Sequence, residues 1–232
     1  MSLDAIAPPL DLLALVYFFL SVLIYRLIVS RRARRGSGLL GVIQKQRVNW
    51  MLNMAKREQR MLDAILLGSL GQGNAFFAST SAIAVGGLAA TLGSGEKLQA
   101  MLAHLPYVVQ APPGVWEAKQ LLIMGIFIYA FFKFAWAFRI SHYASIMIGA
   151  TPIYDPANGE LCSRHAEQTA SLIGVAAEHT NSGLRSFYHA IATIAWFFHP
   201  LLFVLATTWV ILILARRDFF SRTLRLIREH PT

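Results

Sequence analysis

The chain has 232 residues, 56% of them hydrophobic and 14% charged, with a formal net charge of +9. Soluble domains carry about 25% charged residues, so this deficit excludes an ordinary water-soluble globule and points to lipid contact. The basic excess does not imply a nucleic-acid partner. The positive residues sit at the ends of apolar runs, where membrane topology places them, and no basic patch on a soluble fold is visible.

The first residues carry Asp4, Pro8, Pro9 and Asp11, with no Lys or Arg and no cleavable-signal pattern, so a retained first span is expected over about 11–30. Leu12 to Tyr25 is uncharged, and Arg26 is long enough to snorkel to an interface. Arg31 to Arg35, RRARR, follows. Acidic before and basic after predicts the N-terminus outside and the main basic loop in the cytoplasm.

Gly36 to Gly41 reads as a link. An amphipathic cytoplasmic helix is then predicted over 39–65, with Leu40, Ile43, Trp50, Met54, Met61 and Ile65 on one face and Lys45, Asn49, Asn53, Lys56, Arg57 and Arg60 on the other. It either lies on the inner leaflet or packs on partner helices, or it is a cytoplasmic extension of the next span with its stripe in a bundle core.

A second span is expected over 70–93. Within it Ala78, Ala82, Gly86 and Ala90 recur every four residues and form a helix-packing face, used within the chain or between copies. Asn74, Ser79, Thr80 and Ser81 supply polar groups on the same helix, and Gly71 and Gly73 loosen its start. Gly93 to Glu117 is expected as an external loop, with a short helix around Lys97 to His104 and with Tyr107 and Trp116 at an interface.

The third span, 119–140, is uncharged from Leu121 to Phe132 and then carries Lys133 within the run and Arg139 at its end. Lys133 lies roughly 20 Å in from Lys119 at 1.5 Å per residue. A cation at the centre of a span costs about 2.5–3.5 kcal/mol, and less near an edge, unless it finds a partner or water.

Residues 153–185 read as a cytoplasmic segment. A fourth span over 190–214 is expected to kink at Pro200, with a re-entrant hairpin as the alternative. The tail, 216–232, with Arg216, Arg217, Arg222, Arg225 and Arg228, reads as an interfacial helix. Four crossings leave this basic tail outside, against the positive-inside bias. The fold class predicted is all-α: one polytopic integral membrane domain over 1–232, a four-span helical bundle with cytoplasmic helical extensions.

Three stretches together resemble a known family: NAFFASTSAIAVGGLAATLGS (Asn74–Ser94), FIYAFFKFAWAFRISHYASIMIGATP (Phe127–Pro152) and the run from Asn181 to Leu224 that opens NSGLRSFYHA. They are similar to the bacterial branch of the membrane family catalogued as domain of unknown function number five-nine-nine. The lysine-then-arginine third span and the Asn181-x-Gly183-x-Arg185 spacing are specific in combination. The resemblance implies a multi-span helical protein of the bacterial inner (plasma) membrane and no assigned reaction. His189 stands where the resemblance leads one to expect an aromatic.

Lys133, Arg139 and Arg185 are expected near the cytoplasmic end, as a basic vestibule for anions or head groups. The alternative is snorkelling with structural pairing, for which Asp63 and Glu58 are the carboxylates at similar depth. Asp63 is expected beside Lys133 or Arg139. Asn74, Ser79, Thr80, Ser81, Asn181 and Tyr188 are the polar residues available to line a path. His142 and His189 would have to face each other to hold a haem, and no companion pair or attachment motif supports it. Cys162, His165 and His179 are metal-ligand types without a second close pair, so no metal and no cofactor is expected. Nucleophile elbows, zinc helices and phosphate loops are absent from the sequence, and an enzyme is not expected. The expected partners are the bilayer and a second copy of the chain. Two roles follow: a homo-oligomer with an anion, lipid or small-solute transport role, or a non-catalytic scaffold subunit of a larger membrane complex.

Overall fold

The computed structural model describes residues 9–92 and 112–228, and every regular element among them is helical. The segment expected to form a helix around Lys97 to His104, and Tyr107, lie outside the described residues. The elements are α1 (Pro9–Arg34), α2 (Gly38–Ala55), α3 (Met61–Thr91), α4 (Pro113–Gly149), α5 (Gly159–Ile194), α6 (Pro200–Phe220) and α7 (Arg222–Arg228), with single 3-10 turns at Pro156–Asn158 and Ala195–Phe197. Four helical stretches are long and apolar enough to cross a membrane; they contain α1, α3, α4 and α6.

Local chemistry sets the boundaries. The end of α1 is closed by Gly36, whose φ of 65° suits a left-handed residue. Gly36 N donates to Ala33 O at 2.9 Å and Ser37 N to Arg32 O at 3.0 Å, the paired bonds of a glycine C-terminal cap. The helix expected over 39–65 stops at Ala55, and Met61 and Ile65 belong to α3. The break is stabilised by Arg60, whose guanidinium donates to Ala55 O at 3.2 Å, Pro152 O at 2.7 Å and Thr151 O. One cation thus satisfies carbonyls at the ends of both α2 and α4.

The last expected span also differs. Residues 190–214 are not one kinked helix: α5 ends at Ile194 and α6 starts at Pro200. His199 is extended (φ −157°, ψ 139°), and its Nδ1 accepts from Leu201 N at 3.0 Å. Pro200 takes the first helical position, where its missing N–H costs nothing. Trp196 stacks on Phe203 with ring centroids 5.0 Å apart, closing the corner. The chain therefore turns back here, nearer to the hairpin alternative.

Neighbour directions follow from cross-helix contacts. Lys133 meets His179 and Met147 meets His165, so α4 and α5 are antiparallel. Tyr17 meets Thr208 (2.7 Å) and Tyr25 meets Asp218 (2.7 Å), so α1 and α6 are parallel. The arginines of α6 and α7 consequently lie at the same end of the bundle as Arg31, Arg32 and Arg35. We call this the basic end.

At 37 residues, α4 is about 55 Å long, well beyond a ~30 Å hydrocarbon layer. Its last turns join α2 and the starts of α3 and α5 in a compact head around Met51, Met54, Leu67, Ile148 and Cys162. α3 packs on α4, α4 on α5, and α1 mainly on α6. The seam between α1 and the α4–α5 pair holds two adjoining cavities.

A basic cleft between three helices

Two buried ion pairs tie the bundle near its ends. At the end away from the arginines, Lys119 Nζ lies 3.4 Å from Asp11 Oδ1, with side chains 4% and 6% exposed. Trp196 Nε1 donates to Asp11 at 2.6 Å, and Lys119 donates to Trp196 O at 3.0 Å. Towards the basic end, Asp218 accepts from Tyr25 at 2.7 Å and Arg185 at 2.7 Å, and Arg217 Nε lies 3.3 Å away. Each cluster crosses helices that sequence separates by a hundred residues or more. Neither the Asp11–Lys119 pair nor Asp218 is expected from the sequence. The one available signal was an acid set among arginines in RRDFF, where solvation alone would not select it.

Between these clusters lies a cleft of two adjoining chambers. The polar chamber, about 300 Å³, is lined by Arg26, Lys133, Glu178, His179, Ser182 and Arg185, among others. Lys133 Nζ stands 3.5 Å from His179 Nδ1 and 5.2 Å from the centroid of the Tyr129 ring. An ammonium has no acceptor, so in this contact Nδ1 accepts and the imidazole is neutral. Arg26 lines the same chamber and also lies 5.2 Å from the Tyr129 ring centroid. Its guanidinium donates to Tyr129 Oη and lies 3.4 Å from Ser182 Oγ.

The second chamber, about 340 Å³, is mostly apolar, with Phe18, Phe19, Leu122, Gly125 and Ile126 in its wall. Arg26, Ser182 and Arg185 line both chambers. His189 also faces the apolar chamber. It is buried, its ring meets Phe18 edge-on at 6.0 Å, and its Nδ1 has no hydrogen-bond partner among the described residues.

The expected vestibule is thus corrected in membership. Lys133 and Arg185 reach the polar chamber, whereas Arg139 is exposed and donates to Tyr143 Oη at 2.7 Å. Six residues along a helix turn about 240°, so Lys133 and Arg139 cannot share a narrow face. Arg26, expected only to snorkel, takes the third place.

The expected pairing of Asp63 is also corrected. It is 1% exposed and pairs with Arg57 at 2.9 Å, while Trp50 Nε1 donates to it at 2.7 Å. Glu58 is exposed on the link between α2 and α3 and forms no ion pair among the described residues.

The remaining sequence-derived residues are dispersed. Asn74 Oδ1 accepts from Thr180 at 2.7 Å, a cross-helix bond between α3 and α5. Thr80 and Ser81 return their hydroxyls to Phe76 O and Phe77 O, and Ser79 is exposed. Asn181 donates to Ala177 O, and Tyr188 lies under Arg217. These residues do not line a common path with the cleft. Ala78 is half-buried, but Ala82, Gly86 and Ala90 are exposed, so most of that small-residue face is not packed among the described residues.

Cys162, His165 and His179 stay apart because α5 is continuous: His179 is about 21 Å along the axis from His165. No cluster of three metal-ligating residues occurs among the described residues. The same antiparallel register places His189 near the level of Ile123, about 28 Å along the axis from His142, so the two cannot share an iron. Trp116, expected at an interface, is buried and meets Phe197 edge-on at 4.8 Å.

The Asn181-x-Gly183-x-Arg185 spacing has a structural basis. A Cβ on Gly183 would lie 2.6 Å from Phe134 Cζ, so glycine permits the close approach of α4 and α5. Arg185 then falls in reach of Asp218.

The profile of the family described as "protein of unknown function, DUF599" matches residues 13–223. No curated protein and no solved structure matches the chain. With nearly the whole bundle inside that match, from α1 to the start of α7, the chain belongs to the DUF599 family.

Proposed function

We propose that this DUF599 protein is an integral membrane protein of the bacterial inner membrane that binds an anionic group in its cleft, at the cytoplasmic side, and carries or holds an anionic solute or head group there. The observation that carries the reading is the polar chamber. Lys133 and Arg26 line it and form no ion pair among the described residues, while the charge of Arg185 is offset by Asp218. Glu178 shares the chamber, so three cations face one carboxylate there. Cations held at the edge of a low-dielectric region favour an anion that supplies the missing partner.

The orientation rests on charge. With α1 and α6 parallel, Arg31, Arg32, Arg35, Arg216, Arg217, Arg222 and Arg225 gather at one end, and the positive-inside bias assigns that end to the cytoplasm. Counting α5 as a fifth traverse removes the conflict that four crossings create. α5 is more polar than the other long helices, and it buries Ser186, His189 and Thr193 against its neighbours.

The test is binding of inorganic phosphate to the full chain in detergent, read by calorimetry, followed by flux into proteoliposomes. Lys133→Gln and Arg26→Gln are expected to weaken phosphate binding at least tenfold each. Wild-type protein that binds no phosphate, or variants that bind as well as wild type, would sink the proposal.

A second reading, an oligomeric or scaffold subunit, is favoured by a different observation. Met61, Leu62, Ile65, Leu66 and Leu70 form an exposed apolar strip on α3, and Ala82, Gly86 and Ala90 are exposed farther along it. Native mass spectrometry distinguishes the two: a monomer with flux favours transport, and an oligomer without flux favours the scaffold.

A further inference from the structure

The two chambers meet at Arg26, Ser182 and Arg185, and they differ in chemistry. A free inorganic anion would fill the polar chamber and leave the apolar one unused. A plain hydrocarbon would fill the apolar chamber and leave Lys133 and Arg26 unanswered. A ligand matching both has an anionic head and an apolar chain.

The junction adds a third requirement. His189 is 6% exposed, lines the apolar chamber and leaves Nδ1 without a partner. Arg185 Nε, on the same helix, is also buried without one. An unmet buried polar group is costly, so a ligand with a polar group just beyond its head is favoured over one with bare methylene there.

Resting on the anion-binding reading, we infer that the cleft takes an anionic phosphate-ester amphiphile. Its phosphate sits among Arg26, Lys133 and Arg185, its glycerol ester or hydroxyl lies beside His189, and one acyl chain runs along Phe18, Phe19 and Gly125. The apolar chamber, at about 340 Å³, is near the lower limit of small-ligand pockets and suits one chain rather than two. Phe19 and Leu121, at its rim, are exposed, so a second chain can remain in the surrounding bilayer. The same chemistry is offered by a membrane phospholipid and by a free lysophospholipid.

Gly125 provides the test. A Cβ there would meet nothing within 4 Å, and Gly125 lines the apolar chamber, so Gly125→Leu is expected to narrow the slot. The full chain in non-ionic detergent is titrated, by native mass spectrometry, with four probes: inorganic phosphate, an anionic lysophospholipid, its zwitterionic choline counterpart and a diacyl anionic phospholipid. The anionic lysophospholipid is expected to bind at least tenfold more tightly than phosphate and than the choline form. Gly125→Leu is expected to remove that gain while leaving phosphate binding intact, and Lys133→Gln to weaken both. Binding of the diacyl probe as well assigns the bilayer as source; binding of the lysophospholipid alone assigns a free amphiphile. Equal affinity for the choline form, or Gly125→Leu without effect, overturns the inference. Wild type that binds neither phosphate nor amphiphile overturns the underlying anion site instead.

Discussion

Replacing Lys119 with methionine removes the cation from the Asp11 cluster and keeps most of the side-chain volume. Asp11 would retain the Trp196 Nε1 bond at 2.6 Å and lose the ammonium at 3.4 Å. Both partners are more than nine-tenths buried, so solvent cannot take over. Removing one member of a buried pair costs about 3–5 kcal/mol, because the other is left as an uncompensated charge. Asp11→Asn is expected to cost less, since Lys119 keeps the Trp196 carbonyl at 3.0 Å and the Trp196 ring at 5.3 Å. The double variant Asp11→Asn/Lys119→Met should recover about 1–3 kcal/mol of the summed single costs. Reversible unfolding in mixed micelles measures all four proteins. A Lys119→Met cost below about 1 kcal/mol, or costs that simply add, would refute the claim that this ion pair closes the end of the bundle.

Two further outcomes are expected. Gly183→Ala puts a methyl 2.6 Å from Phe134, a fully buried ring stacked on Phe77, and overpacking of this kind costs about 1–3 kcal/mol; Gly125→Ala, with open space around it, serves as the near-neutral control in the same unfolding assay. A reporter fused after Thr232 should signal from the cytoplasm, the same side as one placed at Ser37, and a signal from outside would contradict the five-traverse arrangement.

The apolar runs of α1, α3, α4 and α6 were legible from residue type alone, because about 20 residues without charge have few other fates. The corner at His199–Pro200 was not. Proline fits both a kink within a helix and the first turn of a new one; the extended backbone of His199 and the bond from Arg185 back to Asp218 distinguish them. The continuity of α5 was hidden for a related reason: its polar first part reads as a cytoplasmic segment ending at 185 and its apolar end as the start of a span at 190, whereas one helix runs from Gly159 to Ile194.

Lys133, singled out because it lies within an apolar run, and Arg185, expected at the cytoplasmic end of the bundle, both line the cleft. Arg26 was assigned to snorkelling because sequence shows its depth and not its direction. Arg139 could have been set aside at the outset, since its angular offset from Lys133 follows from helix geometry. The charge partners were less accessible. Asp63 found Arg57, six residues earlier, whereas Asp218 and Arg185 are 33 residues apart and Asp11 and Lys119 lie on helices joined only through the rest of the chain.

The most direct test of the account is a density map of the protein in a bilayer disc of anionic phospholipid. The account predicts a phosphate-sized density within hydrogen-bonding distance of Arg26 and Lys133, continuous with a chain beside Gly125. A map with the seam between α1 and the α4–α5 pair collapsed, and Lys133 turned out into the lipid, would contradict it.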